Sequence, residues 1–120
     1  MPNLIKSIKT ISTGTCVLTI KNGDNYDYAT TLYINNDDEI EIDGGVANTY
    51  TVNKGDLIFI KSKGASNYLR TISISSNSTN NYVLGYFNGT SADDTVDYMA
   101  AISFQILGDC TITVKAQVIV

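Results

Sequence analysis

Apolar and polar residues alternate along almost every stretch of this chain, and clusters of Asn, Asp and Gly cut the alternation into short segments. A period of two puts successive side chains on opposite faces of a strand, so each segment reads as a β-strand with one buried face. Cys16, Leu18 and Ile20 alternate with Val17 and Thr19, and Lys21-Asn22-Gly23-Asp24 closes a turn through its Asn-Gly pair. Tyr26 to Ile34 predicts a long strand with Tyr26, Tyr28, Thr30, Leu32 and Ile34 on one side, turned by Asn35-Asn36-Asp37-Asp38. Glu39-Ile40-Glu41-Ile42-Asp43 alternates strictly, carboxylates outward and isoleucines inward, and Gly44-Gly45 ends it. Thr49 to Val52 is a short strand, and Asn53-Lys54-Gly55-Asp56 turns into Leu57-Ile58-Phe59-Ile60-Lys61. That run is apolar on both faces, which predicts a central strand covered from both sides.

Tyr68 to Ser75 predicts a strand with Ile72 and Ile74 inward, and Ser76 to Asn81 a polar, exposed loop tip. Tyr82 to Phe87 is the next strand, followed by a loop from Asn88 to Asp97 with one helical turn at Ser91-Ala92-Asp93-Asp94. Tyr98 to Leu107 places Ile102, Phe104 and Ile106 on one face, Gly108-Asp109 turns, and Cys110 to Val120 is the last strand. Residues 1–13 read two ways. Ile5, Ile8 and Ile11 recur at the spacing of a helical turn, while their branching favours an irregular strand or N-terminal arm. About eight to ten strands at this spacing, spread over residues 1–120, predict a single all-β domain: an antiparallel β-sandwich, jelly-roll-like.

The last strand stays apolar through Val118-Ile119-Val120, where most chain ends turn polar. Such an end has to be paired and covered, either in its own sheet or by a neighbouring subunit, so these three residues form a candidate interface.

Composition narrows the possible functions. Charged residues make up 17% of the chain, and Asn, Ser and Thr supply neutral polar faces in their place. The net charge of −4 argues against nucleic acid and against an anionic membrane surface. Met1-Pro2-Asn3-Leu4-Ile5-Lys6 shows neither the apolar core nor the small-residue cleavage site of a secretory signal. Cys16 and Cys110 fit no metal-ligand spacing and sit in matching frames, Gly14-Thr15-Cys16-Val17-Leu18 and Gly108-Asp109-Cys110-Thr111-Ile112. They read as small buried hydrophobes or as a disulfide between an early and a late strand; without a signal they are expected to be reduced.

Histidine is absent, which removes Ser-His-Asp and Cys-His catalysis together with the commonest metal ligand. No phosphate loop or dinucleotide fingerprint is present, and the acids lie in turns or on exposed alternation, so no enzyme is read. Asp37, Asp38 and Glu39, with the side-chain carbonyls of Asn35 and Asn36, have the oxygen chemistry to hold a calcium ion. The same acids also read as a solvated hairpin that discourages edge pairing. Asn22-Gly23-Asp24-Asn25-Tyr26-Asp27 is a weaker version of the same constellation, already explained by turn geometry. Eight tyrosines suggest a stacking platform for sugar rings, although no Trp accompanies them. Asn77-Ser78-Thr79 and Asn88-Gly89-Thr90 match the N-glycosylation pattern, as chance allows in a chain so rich in Asn and Thr.

The combination of a Met1-Pro2 start, all-β patterning, neutral polar faces, no histidine and an apolar last strand resembles the small virion modules of tailed bacteriophages, namely capsid decoration proteins and head fibres. That resemblance implies a non-enzymatic structural protein, made in the host cytoplasm and located in the virion. Such a protein self-associates and binds a protein lattice such as a capsid or tail component. The alternative is a carbohydrate-binding β-sandwich for host attachment, assisted by calcium.

Overall fold

Cys16, Leu18 and Ile20 project from one face of the first strand and are buried to 5% exposure or less, whereas Val17 on the opposite face is 38% exposed. The alternation read from the sequence is therefore a real division between core and surface. The computed structural model describes residues 14–22, 30–42, 46–63, 68–93 and 99–118. Ten strands form among them: β1 (Thr15–Asn22), β2 (Thr30–Ile34), β3 (Ile40–Ile42), β4 (Val46–Asn53), β5 (Leu57–Lys63), β6 (Tyr68–Ser75), β7 (Tyr82–Asn88), β8 (Thr90–Asp93), β9 (Met99–Ile106) and β10 (Cys110–Val118). They build two five-stranded sheets, ordered β4-β1-β10-β6-β8 and β3-β2-β5-β9-β7. The inward residues of both sheets form one hydrophobic cluster. The all-β sandwich expected from the alternation is the observed fold.

The chain crosses between the sheets at nearly every connection, and only β2 and β3 are consecutive partners in one sheet. Pairing is antiparallel with one exception, β1 beside β10, which run parallel. Their matching sequence frames lie side by side but slipped by two residues, pairing Leu18 with Cys110 and Ile20 with Ile112. A slip of two preserves the facing of every side chain, so both apolar rows stay in the core. Asp109 fixes the slip, its carboxylate accepting the Val17 N–H at 2.8 Å.

Turn chemistry holds the strands in register. Asn35 and Asn36 both adopt left-handed backbone (φ 54° and 60°), and the Asp37 N–H donates to the Ile34 carbonyl at 2.9 Å. This is the mirror-image turn that Asn tolerates best among side-chain-bearing residues. At Asn53-Lys54-Gly55-Asp56, Gly55 takes φ 101° in the third position, where a type II turn requires glycine. Across the sandwich, the buried Asn22 amide donates to the Ile42 carbonyl at 3.2 Å, tying β1 to β3.

Several local expectations need correction. The helical turn expected at Ser91-Ala92-Asp93-Asp94 is strand as far as Asp93: Thr90 to Asp93 pair with Thr71 to Tyr68 along β6. Strand pairing overrides the weak local helix signal there. The strand expected over Thr49 to Val52 extends from Val46 to Asn53. The loop from Ser76 to Asn81 contains a 3-10 turn at Thr79–Asn81 and is tethered rather than free. The Asn81 carbonyl accepts the N–H groups of Leu107 (2.7 Å) and Gly108 (3.1 Å), and its amide donates to the Asp109 carbonyl at 3.0 Å. Arg70 was not anticipated in the core at all. It shares the inward face of β6 with Ile72 and is fully buried. Residues 1–13, Tyr26, Tyr28, the turn beyond Asn22 and the Ile119-Val120 end lie outside the described residues.

Cys16 and Cys110 are free thiols, both buried. Burial pushes the Cys110 thiol from its ordinary value near 9 up to about 11, with Cys16 and the Asp109 carboxylate adding in the same direction. The folded chain thus holds this proton more tightly than the unfolded chain. The associated stability is fully present below pH 9 and is lost as pH rises through 11. At pH 11 the loss amounts to about 2 kcal/mol. Urea unfolding at pH 8 and pH 11 is expected to show a smaller pH effect in Cys110→Ala than in the parent. Equal pH effects in the two proteins would refute the assignment.

Candidate functional site: an apolar groove beside an open edge

The outer face of the β3-β2-β5-β9-β7 sheet carries the most unusual surface of the molecule. β5 is central, flanked by β2 and β9, and Ile58 and Ile60 are buried beneath it. The other face of β5, expected to be covered, is open: Leu57 is 50% exposed. Phe59 beside it stacks on Tyr33 of β2, with ring centroids 5.7 Å apart and planes inclined by 25°. The Lys61 ammonium lies 5.6 Å from the Tyr33 ring centroid, and the Tyr33 hydroxyl donates to Glu39 Oε1 at 2.9 Å. These contacts hold the aromatic pair flat against the sheet.

A bulge completes the face. Leu84 pairs with Phe104 and Tyr86 with Ser103, leaving Gly85 as the extra residue. A Cβ at Gly85 would sit 3.1 Å from Ser103 Oγ and 3.3 Å from its carbonyl oxygen, so the tight approach favours glycine. Strict alternation would place Val83 and Tyr86 on opposite faces. The extra residue restores them to one face, and both line a groove of about 650 Å³ with Tyr33, Leu57, Phe59 and Ser103. Gln105 forms part of the floor and is pinned there, its Nε2 donating to the Gly55 carbonyl at 3.1 Å. Among the described residues, no carboxylate, amine, guanidinium, imidazole or thiol lines the groove. It is suited to holding a neutral surface by contact.

β7, at the margin of this groove, is the outermost strand of its sheet among the described residues. Val83 (41%), Leu84 (48%), Tyr86 (54%) and Phe87 (49%) are all substantially exposed, spread over both faces of one strand. Tyr82 alone turns firmly inward, packing edge-on against Phe104 at 6.2 Å.

The residues singled out from sequence lie elsewhere. Asp37, Asp38 and Glu39 are exposed in the turn between β2 and β3, and no three acidic, Cys or His side chains group to hold a metal ion among the described residues. Asn35 makes three hydrogen bonds within the fold. Its backbone N–H donates to the Leu57 carbonyl and its Oδ1 accepts the Leu57 N–H, each at 2.7 Å, while its Nδ2 donates to Asp56 at 2.9 Å. Val118 ends β10, an interior strand flanked by β1 and β6, and is paired with Tyr68. Its backbone finds a partner within its own sheet. Of the tyrosines whose burial is described, Tyr86 is the exposed one, whereas Tyr50 and Tyr82 pack on the core. The sequence contained one signal for this groove, the charge-free run Tyr82-Val83-Leu84-Gly85-Tyr86-Phe87-Asn88, which alternation alone could not mark as an edge.

No protein-family model, curated protein or solved structure matches this chain.

Proposed function

We propose that this protein is a non-enzymatic structural module that works by protein contact, of the capsid-decorating or fibre type found on tailed-phage virions. The observation that supports it is the uncharged apolar surface running from Leu57 on β5 across the groove to Val83 and Tyr86 on β7. A contiguous apolar patch on a small soluble domain usually serves as a contact surface. Neutral polar residues dominate the remaining exterior, and such surfaces approach a protein lattice with little charge desolvation.

Purified particles from the organism that encodes this chain are expected to contain the protein at a copy number matching a symmetric set of lattice sites. Quantitative mass spectrometry of the particles, with labelling in electron microscopy, measures this. Particles free of the protein would sink the reading.

A second reading is favoured by the stacked Tyr33–Phe59 pair and the Ser103 and Asn36 polar groups in the groove: a saccharide laid across aromatic rings. A glycan-array signal lost in Phe59→Ala would support it, and a blank array would remove it.

A further inference from the structure

Among the described residues the two sheets end in four strands, β4, β8, β3 and β7, and three of them are blunted against pairing with another chain. β3 is three residues long and exposes Glu41; β8 is four residues long and ends in Asp93. β4 is long, but its exposed positions Ala47, Thr49, Thr51 and Asn53 are small or polar. β7 differs on each count. It has seven residues, no charge, no proline and four large hydrophobic side chains near half exposure.

We infer that β7 is a self-association edge, joining two copies of this chain antiparallel about a two-fold axis so that the β3-β2-β5-β9-β7 sheet continues across the joint. The inference rests on the assembly reading above and specifies its geometry. Self-pairing demands that one strand complement itself, with residue i facing residue j and j facing i. The Gly85 bulge decides which register matches faces. The register with β9 puts Val83 and Tyr86 on the outer face, opposite Gln105 and Ser103, and Tyr82 and Phe87 on the inner side, opposite Ile106 and Ile102. An antiparallel joint that sets Val83 of one copy against Tyr86 of the other also sets Tyr82 against Phe87. Both pairs meet on matching faces. Leu84 then lies across from Gly85, which has no side chain to obstruct it. With no charge in the strand, two copies meet without like-charge repulsion even though each chain carries −4.

Sedimentation velocity across a concentration series is expected to show a species of twice 13.0 kDa or a multiple of it. Leu84→Lys is expected to return it to a monomer with an unchanged circular dichroism melt, while Thr49→Lys on the β4 edge leaves it intact. A register test follows. Equimolar Val83→Cys and Tyr86→Cys chains, mixed and mildly oxidised, are expected to cross-link to each other far more than either does alone; the buried native thiols stay silent. A monomer at every concentration overturns the inference, as does an assembly indifferent to Leu84→Lys or cross-linking equally in the unmixed chains. A monomer still found at stoichiometric copy number in particles would reject edge pairing while sparing the lattice reading. A dimer absent from particles would do the reverse.

Discussion

Replacing Ile102 with Ala is expected to destabilise the fold by about 3–4 kcal/mol and to lower the melting temperature by roughly 10–20 °C. Ile102 is fully buried in β9, where it pairs with Ile60 of β5 and Phe87 of β7 and belongs to the cluster shared by both sheets. The truncation removes three methyl or methylene groups from a site fixed on both sides by strand pairing, so the cavity collapses only partly. Ile102→Val removes one methylene and is expected to cost about 1 kcal/mol. Leu84→Ala supplies the contrast. Its side chain is 48% exposed, and truncation is expected to change the stability of the isolated chain by less than about 1 kcal/mol. Urea denaturation of the three variants at a concentration where the chain is monomeric tests this ordering. If Leu84→Ala proved as damaging as Ile102→Ala, β7 would be part of the core and the open edge would disappear from the account.

The second large effect is expected at a glycine. A Cβ at Gly108 would fall 2.5 Å from Asn81 Oδ1, 2.7 Å from its Cγ and 3.2 Å from its Cβ. Asn81 has little room to retreat. Its carbonyl receives the N–H groups of Leu107 and Gly108, and its amide bridges the Asp109 carbonyl and Asn77 Oδ1. Gly108→Ala is therefore expected to cost about 2–3 kcal/mol, chiefly by dislodging the 76–81 loop from the β9–β10 turn. Asn81→Ala alone loses the two amide hydrogen bonds, about 1–2 kcal/mol. Combining the substitutions removes the atoms that collide, so the double variant is expected to be more stable than the sum of the single losses predicts. A double-mutant cycle by urea unfolding checks this. Strict additivity would mean that the glycine is needed for some other reason.

Legibility from sequence divided along a physical line. The inward row Ile102, Phe104 and Ile106, the paired isoleucines of Glu39 to Asp43 and both buried cysteines were visible because period-two alternation reports directly on which face meets the core. The helical reading at residues 91–94 failed because a four-residue edge strand has little local signature of its own. Arg70 was invisible for a related reason. Its position in the alternation assigns it to the interior, but charge argues for the surface, and only three-dimensional packing decides for the interior. The acidic turn Asp37-Asp38-Glu39 drew notice by composition alone. No group of three such side chains that could hold a metal ion forms among the described residues, and Asn35 extends the β2–β5 ladder through Leu57.

The sequence by itself determined the β-rich sandwich, its inward residues and most of its turns, since these depend on short-range periodicity and on glycine and asparagine backbone preferences. Only the tertiary structure decided that β1 and β10 run parallel, that β5 leaves one apolar face open, and that β7 lies at an edge. Those properties depend on which strands become neighbours. Neighbour choice is a long-range matter settled by the joint packing of both sheets, and an uncharged strand reads the same along the chain whether its flanks are covered or bare. The apolar end at Val118 illustrates the point: the alternation left open whether its own sheet or a neighbouring subunit pairs it, and the strand order places β10 between β1 and β6, with β7 outermost in the other sheet among the described residues.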